Sequence, residues 1–84
     1  MRRTRFDIVI DIIKVVTQNG RCNKTKIVYG ANLNFKIAEK YLVYLVDLEY
    51  LELELINGKT TYRATEKGKD LVRKFSEISE DMKP

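Results

Sequence analysis

An 84-residue chain with no histidine and a single cysteine, Cys22, cannot close an internal disulfide. It also lacks the usual ligands of a zinc site and any imidazole to activate a thiol. Its net charge of +4 is unevenly spread: residues 1–46 hold nine Lys/Arg against three Asp/Glu, and residues 47–84 hold seven against nine, so the basic first half points to a polyanionic partner.

A single domain this small buries only about 60% of its unfolded surface and gains from a partner. Cys22 reads as a structural or incidental thiol. The opening "MRRTRFDIVIDIIKVV" superficially resembles a signal peptide, but Asp7, Asp11 and Lys14 interrupt it and no small-residue cleavage site follows. No run approaches the ~20 apolar residues of a membrane span. A cytoplasmic protein is expected, with no membrane, metal or cofactor.

The first predicted helix spans residues 5–18. Thr4 and Asp7 suit a capping box, and Gly20 stops the helix. At 100° per residue, Phe6, Val9, Ile10, Ile13 and Val16 share one side, and Ile8, Ile12 and Val15 extend it. That stripe is about twice the usual width of a little over 100°, so the helix is expected to pack on two sides.

After a short loop, "KTKIVYGA" forms a second helix with Ile27 and Val28 inward. "YGANLNF" follows. Asn32 tolerates the backbone angles of a tight turn, Leu33 anchors it, and Asn34 is a natural N-cap. The two asparagines therefore stop one helix and start the next, which is a helix-turn-helix arrangement. The third helix, "FKIAEKYLVYLVDLE", turns Phe35, Ala38, Tyr41, Leu42 and Leu45 toward the core. Lys36, Lys40, Val43, Tyr44 and Asp47 lie on its outer face.

"YLELELI" alternates, with Leu51, Leu53 and Leu55 on one side and Glu52 and Glu54 facing solvent. Asn57-Gly58 is the hairpin signal, and "KTTYRAT" returns with Tyr62 and Ala64 on one side and Thr61 and Arg63 on the other. Thr65 caps a last helix, "EKGKDLVRKFSEISEDM", whose Leu71, Phe75, Ile78 and Met82 are spaced like a heptad seam.

Three helices, a hairpin and a closing helix describe an α+β, mainly α, winged helix-turn-helix. The chain resembles the small archaeal winged helix-turn-helix family of DNA-binding proteins and transcriptional regulators. The resemblance is carried by "KTKIVYGANLNFKIAEKYLVYL" (residues 24–45) and "YRATEKGKDLV" (residues 62–72). It implies binding of double-stranded DNA through the third helix and wing, often as a dimer. Residues 1–65 would be the DNA-binding unit and residues 66–84 a dimerisation helix within the same compact domain. Two departures stand out. Glu49 and Tyr50, ahead of Leu51, stand where the family usually has a basic residue and a glycine ahead of a leucine, which implies a strained turn at Tyr50 or a different helix exit. The third helix also carries Glu39, Asp47 and Glu49 against Lys36 and Lys40.

The residues expected to reach base edges are Asn34, Lys36, Lys40 and Tyr44. The other reading of Asn34, the favoured one, is a cap alone, and that of the lysines, the less favoured one, is a solvated face. Arg21, Lys24 and Lys26, around the start of the second helix, are candidates for phosphate. So are Asn57, Lys59 and Arg63 on the wing, with Thr60 and Thr61 beside them. Arg2, Arg3 and Arg5 form a basic arm that either reaches the duplex or has no fixed place. The stripe Leu71, Phe75, Ile78 and Met82 either closes over the first helix or forms a homodimer. An enzyme is not expected. The alternative to DNA binding is a protein-interaction adaptor, favoured by the acids of the third helix and by Val43 and Tyr44.

Overall fold

A computed structural model describes residues 3–81. The elements follow in the order α1 (Arg5–Asn19), α2 (Lys24–Gly30), α3 (Phe35–Asp47), β1 (Leu51–Ile56), β2 (Lys59–Ala64) and α4 (Glu66–Asp81). Among the described residues, no helix is long and apolar enough to cross a membrane.

Local chemistry fixes most of the boundaries. At α1 the capping box is closed: Asp7 N donates to Thr4 Oγ1 and Thr4 N to Asp7 Oδ2, both at 3.0 Å. These Thr4 bonds hold the Asp7 carboxyl below the usual carboxylate range. Asn23 and Asn34 cap α2 and α3, accepting from Lys26 N and Ile37 N, each at 2.8 Å.

The ends of α2 and α3 share one geometry. Asn32 takes φ 55° and Glu49 φ 65°. Leu33 N donates back to Val28 O and Tyr50 N to Leu45 O, both at 2.9 Å. Asn32 N and Glu49 N donate to Tyr29 O and Val46 O. Each is a Schellman motif, in which a left-handed residue lets the chain satisfy carbonyls the helix leaves over. The helix therefore takes the different exit, with the left-handed residue at Glu49 and not at Tyr50. The helix stops at Asp47, two residues before the sequence suggested, because the left-handed residue must sit one place beyond the Leu48 cap.

α1 packs against α2, α4 and β2, as its two-sided stripe requires. Ile12, Ile13 and Val16 enter a core shared with Cys22, Ile27, Leu42, Leu45, Leu51 and Tyr62. Burial raises the pKa of both the Cys22 thiol and the Tyr62 phenol. β1 and β2 pair antiparallel, with Leu51 opposite Ala64 and Leu53 opposite Tyr62. Cys22 adds an isolated bridge to Tyr62 on the other edge of β2. β1 thus lies on the outside of the small sheet.

The core differs from the expected one in three places. Phe35 is 49% exposed, because it sits at the first position of α3, beyond the layer that covers Ala38 and Leu42. Leu53 and Leu55 are 51% and 71% exposed. Of the three leucines only Leu51 reaches the core; Leu53 lies at its rim, lining a cleft with Val43 and Val46 of α3, and Leu55 lies farther out toward the hairpin tip. Glu54, expected in solvent, is half-buried.

α4 is tied to the end of α3. Thr65 Oγ1 lies 2.6 Å from Glu49 O and 3.1 Å from Tyr50 O, and accepts from Gly68 N at 3.1 Å. Lys67 Nζ donates to Leu48 O at 2.8 Å and stands 4.6 Å from the Tyr50 ring centroid. Gly68 packs against the Tyr50 carbonyl so closely that a methyl group there would collide with it. The run "TEKG" is therefore a packing device as well as a helix start. Further along, Phe75 meets Phe6 with ring centroids 5.3 Å apart, under Lys14.

Candidate nucleic-acid interface

α2, the turn at Ala31–Leu33 and α3 make the helix-turn-helix. Gly30 lets α2 pass close to α1: a Cβ there would lie 2.8 Å from a Val15 methyl. The turn is held from outside as well. Arg3 Nη1 donates to Ala31 O at 2.7 Å and to Asp11 at 3.0 Å, and Nη2 donates to Asn32 O at 2.8 Å. Arg3 is thus a clamp on the turn and not part of a free basic arm. Arg5 is exposed, and Arg2 lies outside the described residues.

Lys36, Lys40, Val43 and Tyr44 are all exposed on α3. Lys36 and Lys40 pair with no carboxylate among the described residues. Glu39, the acid closest to them in sequence, is engaged by Lys24 at 3.0 Å. Tyr44 and Lys40 line a shallow cleft of about 540 Å³ between α3 and the start of α1, with Arg5, Ile8, Ile37 and Tyr41. Asn34 is exposed at the head of α3, but its side-chain oxygen is committed to the cap.

The six backbone candidates divide into two groups. Lys26, Lys59 and Asn57 are exposed and outside any ion pair of the described residues. Asn57 and Gly58 take φ 51° and 76°, the two left-handed residues of a tight hairpin turn, which sets Lys59 at the wing tip. The other three are tied to acids. Lys24 holds Glu39, Arg21 approaches Glu54 at 3.6 Å, and Arg63 reaches Glu52 at 3.3 Å and Glu54 at 3.6 Å. Spacing alone gave no sign of this, since Arg21 and Glu54 meet only once the wing folds back beside the loop after α1.

The expected α4 stripe is divided too. Leu71 and Phe75 are half-buried within the chain, whereas Ile78 is 62% exposed. Met82 lies outside the described residues.

Comparison with known proteins agrees with this geometry. A winged helix-turn-helix family model matches residues 2–83. Two uncharacterized proteins of Methanocaldococcus jannaschii are similar. One is 36% identical over 93% of the chain, the other 28% identical over 96%. The chain spans 35% of the length of the first and 78% of the second. Among solved structures, Sso10a-2, a DNA-binding protein from Sulfolobus solfataricus, superposes with a TM-score of 0.79 at 32% identity, covering 95% of this chain and 85% of that one. TubR from Bacillus thuringiensis, solved bound to DNA, has the same fold at 16% identity and a TM-score of 0.74, covering 86% and 82%. With nearly its whole length matched and its turn, third helix and wing in place, the chain belongs to the winged helix-turn-helix family, with archaeal proteins among its relatives.

Proposed function

We propose that this protein binds duplex DNA as a transcriptional regulator, with the outer face of α3 in the major groove and the wing tip on the backbone. One observation carries the reading. Lys36 and Lys40 stand exposed and unpaired on α3 while Lys24 neutralises Glu39 beside them. The first two turns of that face are therefore positive, while Asp47 and Glu49 at the far end stay exposed and outside any ion pair of the described residues. Lys36 and Lys40, with Tyr44, are the base-reading residues in this assignment, and Lys26, Asn57 and Lys59 contact phosphate. Sso10a-2 is described as DNA-binding, which supports the same reading.

The working unit in this proposal is a homodimer, with Ile78 on α4 as the exposed apolar residue of the contact. Twofold dimers are the commonest oligomers, and two α3 helices would address a near-palindromic site.

The test is a duplex titration at several salt concentrations. Affinity is expected to fall steeply with salt as counterions are released. A folded protein that fails to bind at low salt would instead favour the adaptor reading, for which the exposed Val43, Tyr44, Leu53 and Leu55 supply an apolar surface.

A further inference from the structure

Four charged side chains on the wing and the loop behind it form one connected chain. The register sets Glu52 opposite Arg63 and Glu54 opposite Thr61. Because side chains alternate along a strand, these stand on the hairpin face away from Leu53 and Tyr62. Arg63 reaches Glu52 at 3.3 Å and Glu54 at 3.6 Å, and Arg21 approaches Glu54 at 3.6 Å.

Both arginines converge on the same atom, Glu54 Oε1. That oxygen is buried and has no hydrogen-bond partner. A buried carboxylate oxygen without such a bond is unfavourable unless cations stand close by. Two stand here, and neither makes the short bond that would satisfy it. The group of two arginines and two glutamates is neutral. It contrasts with Lys26, Lys36, Lys40 and Lys59, which pair with no acid of the described residues.

We propose that Glu54 restrains DNA binding: it is the one acid paired with Arg21 among the described residues and, with Glu52, it holds Arg63, so it withholds the Arg21 guanidinium from phosphate and helps to withhold that of Arg63. This rests on the DNA reading above. The Glu54 side chain is 29% exposed, against 52% for Arg21 and 48% for Arg63. A half-sheltered carboxylate is screened less by salt than a phosphate arriving from solvent, so it competes well for both cations.

The experiment is Glu54→Gln, which keeps the shape and removes the charge. Affinity for a short duplex is expected to rise on the order of tenfold at low salt. The slope of log affinity against log salt should steepen by about 1, since Arg21 loses its acid while Arg63 keeps Glu52, and each phosphate gained adds about 0.9. Loss of one negative charge anywhere strengthens DNA binding slightly, so Glu77→Gln on the exposed face of α4 is the control. Arg21→Gln completes a cycle. In the wild type it should change affinity by no more than about twofold, as a paired surface charge does. Combined with Glu54→Gln it should remove much of the gain.

Glu54→Gln binding no more tightly than Glu77→Gln would overturn the inference, as would Arg21→Gln weakening both backgrounds equally. If Glu54→Gln does not fold, the wild type decides. The Nε–H nuclear resonances of Arg21 and Arg63 should stay in place when duplex is added, and a large shift in both would overturn the proposal. Wild-type binding with no gain in the variant sinks this inference alone. Failure of the folded wild type to bind at low salt sinks the DNA reading and this inference with it.

Discussion

The Arg3 guanidinium and the Ala31 carbonyl oxygen, 28 residues apart in sequence, are joined by a 2.7 Å hydrogen bond. Ala31 is the C-cap of α2, where helix carbonyls carry partial negative charge and lack intrahelical partners. The same side chain also serves Asn32 O, so its planar fork spans two successive carbonyls of the turn that leads into α3. Arg3→Ala is expected to lower stability by about 1 kcal/mol, a discounted figure because the group is partly exposed. Arg3→Lys should recover little of it, since an ammonium cannot make the forked contact. Denaturant unfolding of the three proteins checks this; equal stability of wild type and Arg3→Ala would show that the clamp contributes nothing.

Glu49 holds a left-handed conformation at φ 65°, where a side chain costs about 1–2 kcal/mol relative to glycine. Glu49→Gly should therefore stabilise the protein by about 1 kcal/mol, less the greater freedom glycine gives the unfolded chain. The same change at Tyr50 should destabilise it, because Tyr50 is half-buried and packs under Lys67. Thermal melts of both variants separate the two positions.

Gly68 faces the Tyr50 carbonyl with no room for a methyl group. Gly68→Ala is expected to cost about 1–3 kcal/mol through overpacking, despite alanine's better helix propensity. A rise in melting temperature on this substitution would mean that α4 can shift without penalty.

Reading and positioning on DNA should separate experimentally. Lys59→Ala and Lys26→Ala should weaken all duplexes alike and reduce the salt slope by about 1 each. Lys36→Ala should instead change which sequences a random pool yields after selection, with an effect of about 1–3 kcal/mol at the affected base pair. An unchanged selected sequence would remove Lys36 from the base-reading set.

The dimer proposal now rests on Ile78, because Phe75 is engaged by Phe6 of its own chain. Ile78→Asp should leave the fold intact and yield a monomer, whereas Phe75→Ala should lower the stability of the chain itself by roughly 2–4 kcal/mol. Sedimentation equilibrium at micromolar concentration reads the first. A wild-type mass of one chain, 9.9 kDa, would leave Ile78 as a solitary surface residue.

The sequence determined the elements and their order. Thr4 with Asp7, Asn34 with Ile37, Asn57 with Gly58 and Thr65 with Gly68 all act across three residues or fewer, so their chemistry can be read without knowing the fold. The α1 stripe also foretold packing on two sides, because helix periodicity fixes which residues share a face. Periodicity does not say whether that face is covered. Leu51, Leu53 and Leu55 alternate identically, yet only Leu51 is buried, because burial depends on how far out toward the hairpin tip each one lies. The charges behave the same way. Arg3 looked like part of a basic arm and Arg21 like a phosphate contact. Their partners, Ala31 O and Glu54, are distant in sequence, and only the return of the chain on itself brings them within reach. A cation's availability is decided by its neighbours in space, and those the tertiary structure alone supplied.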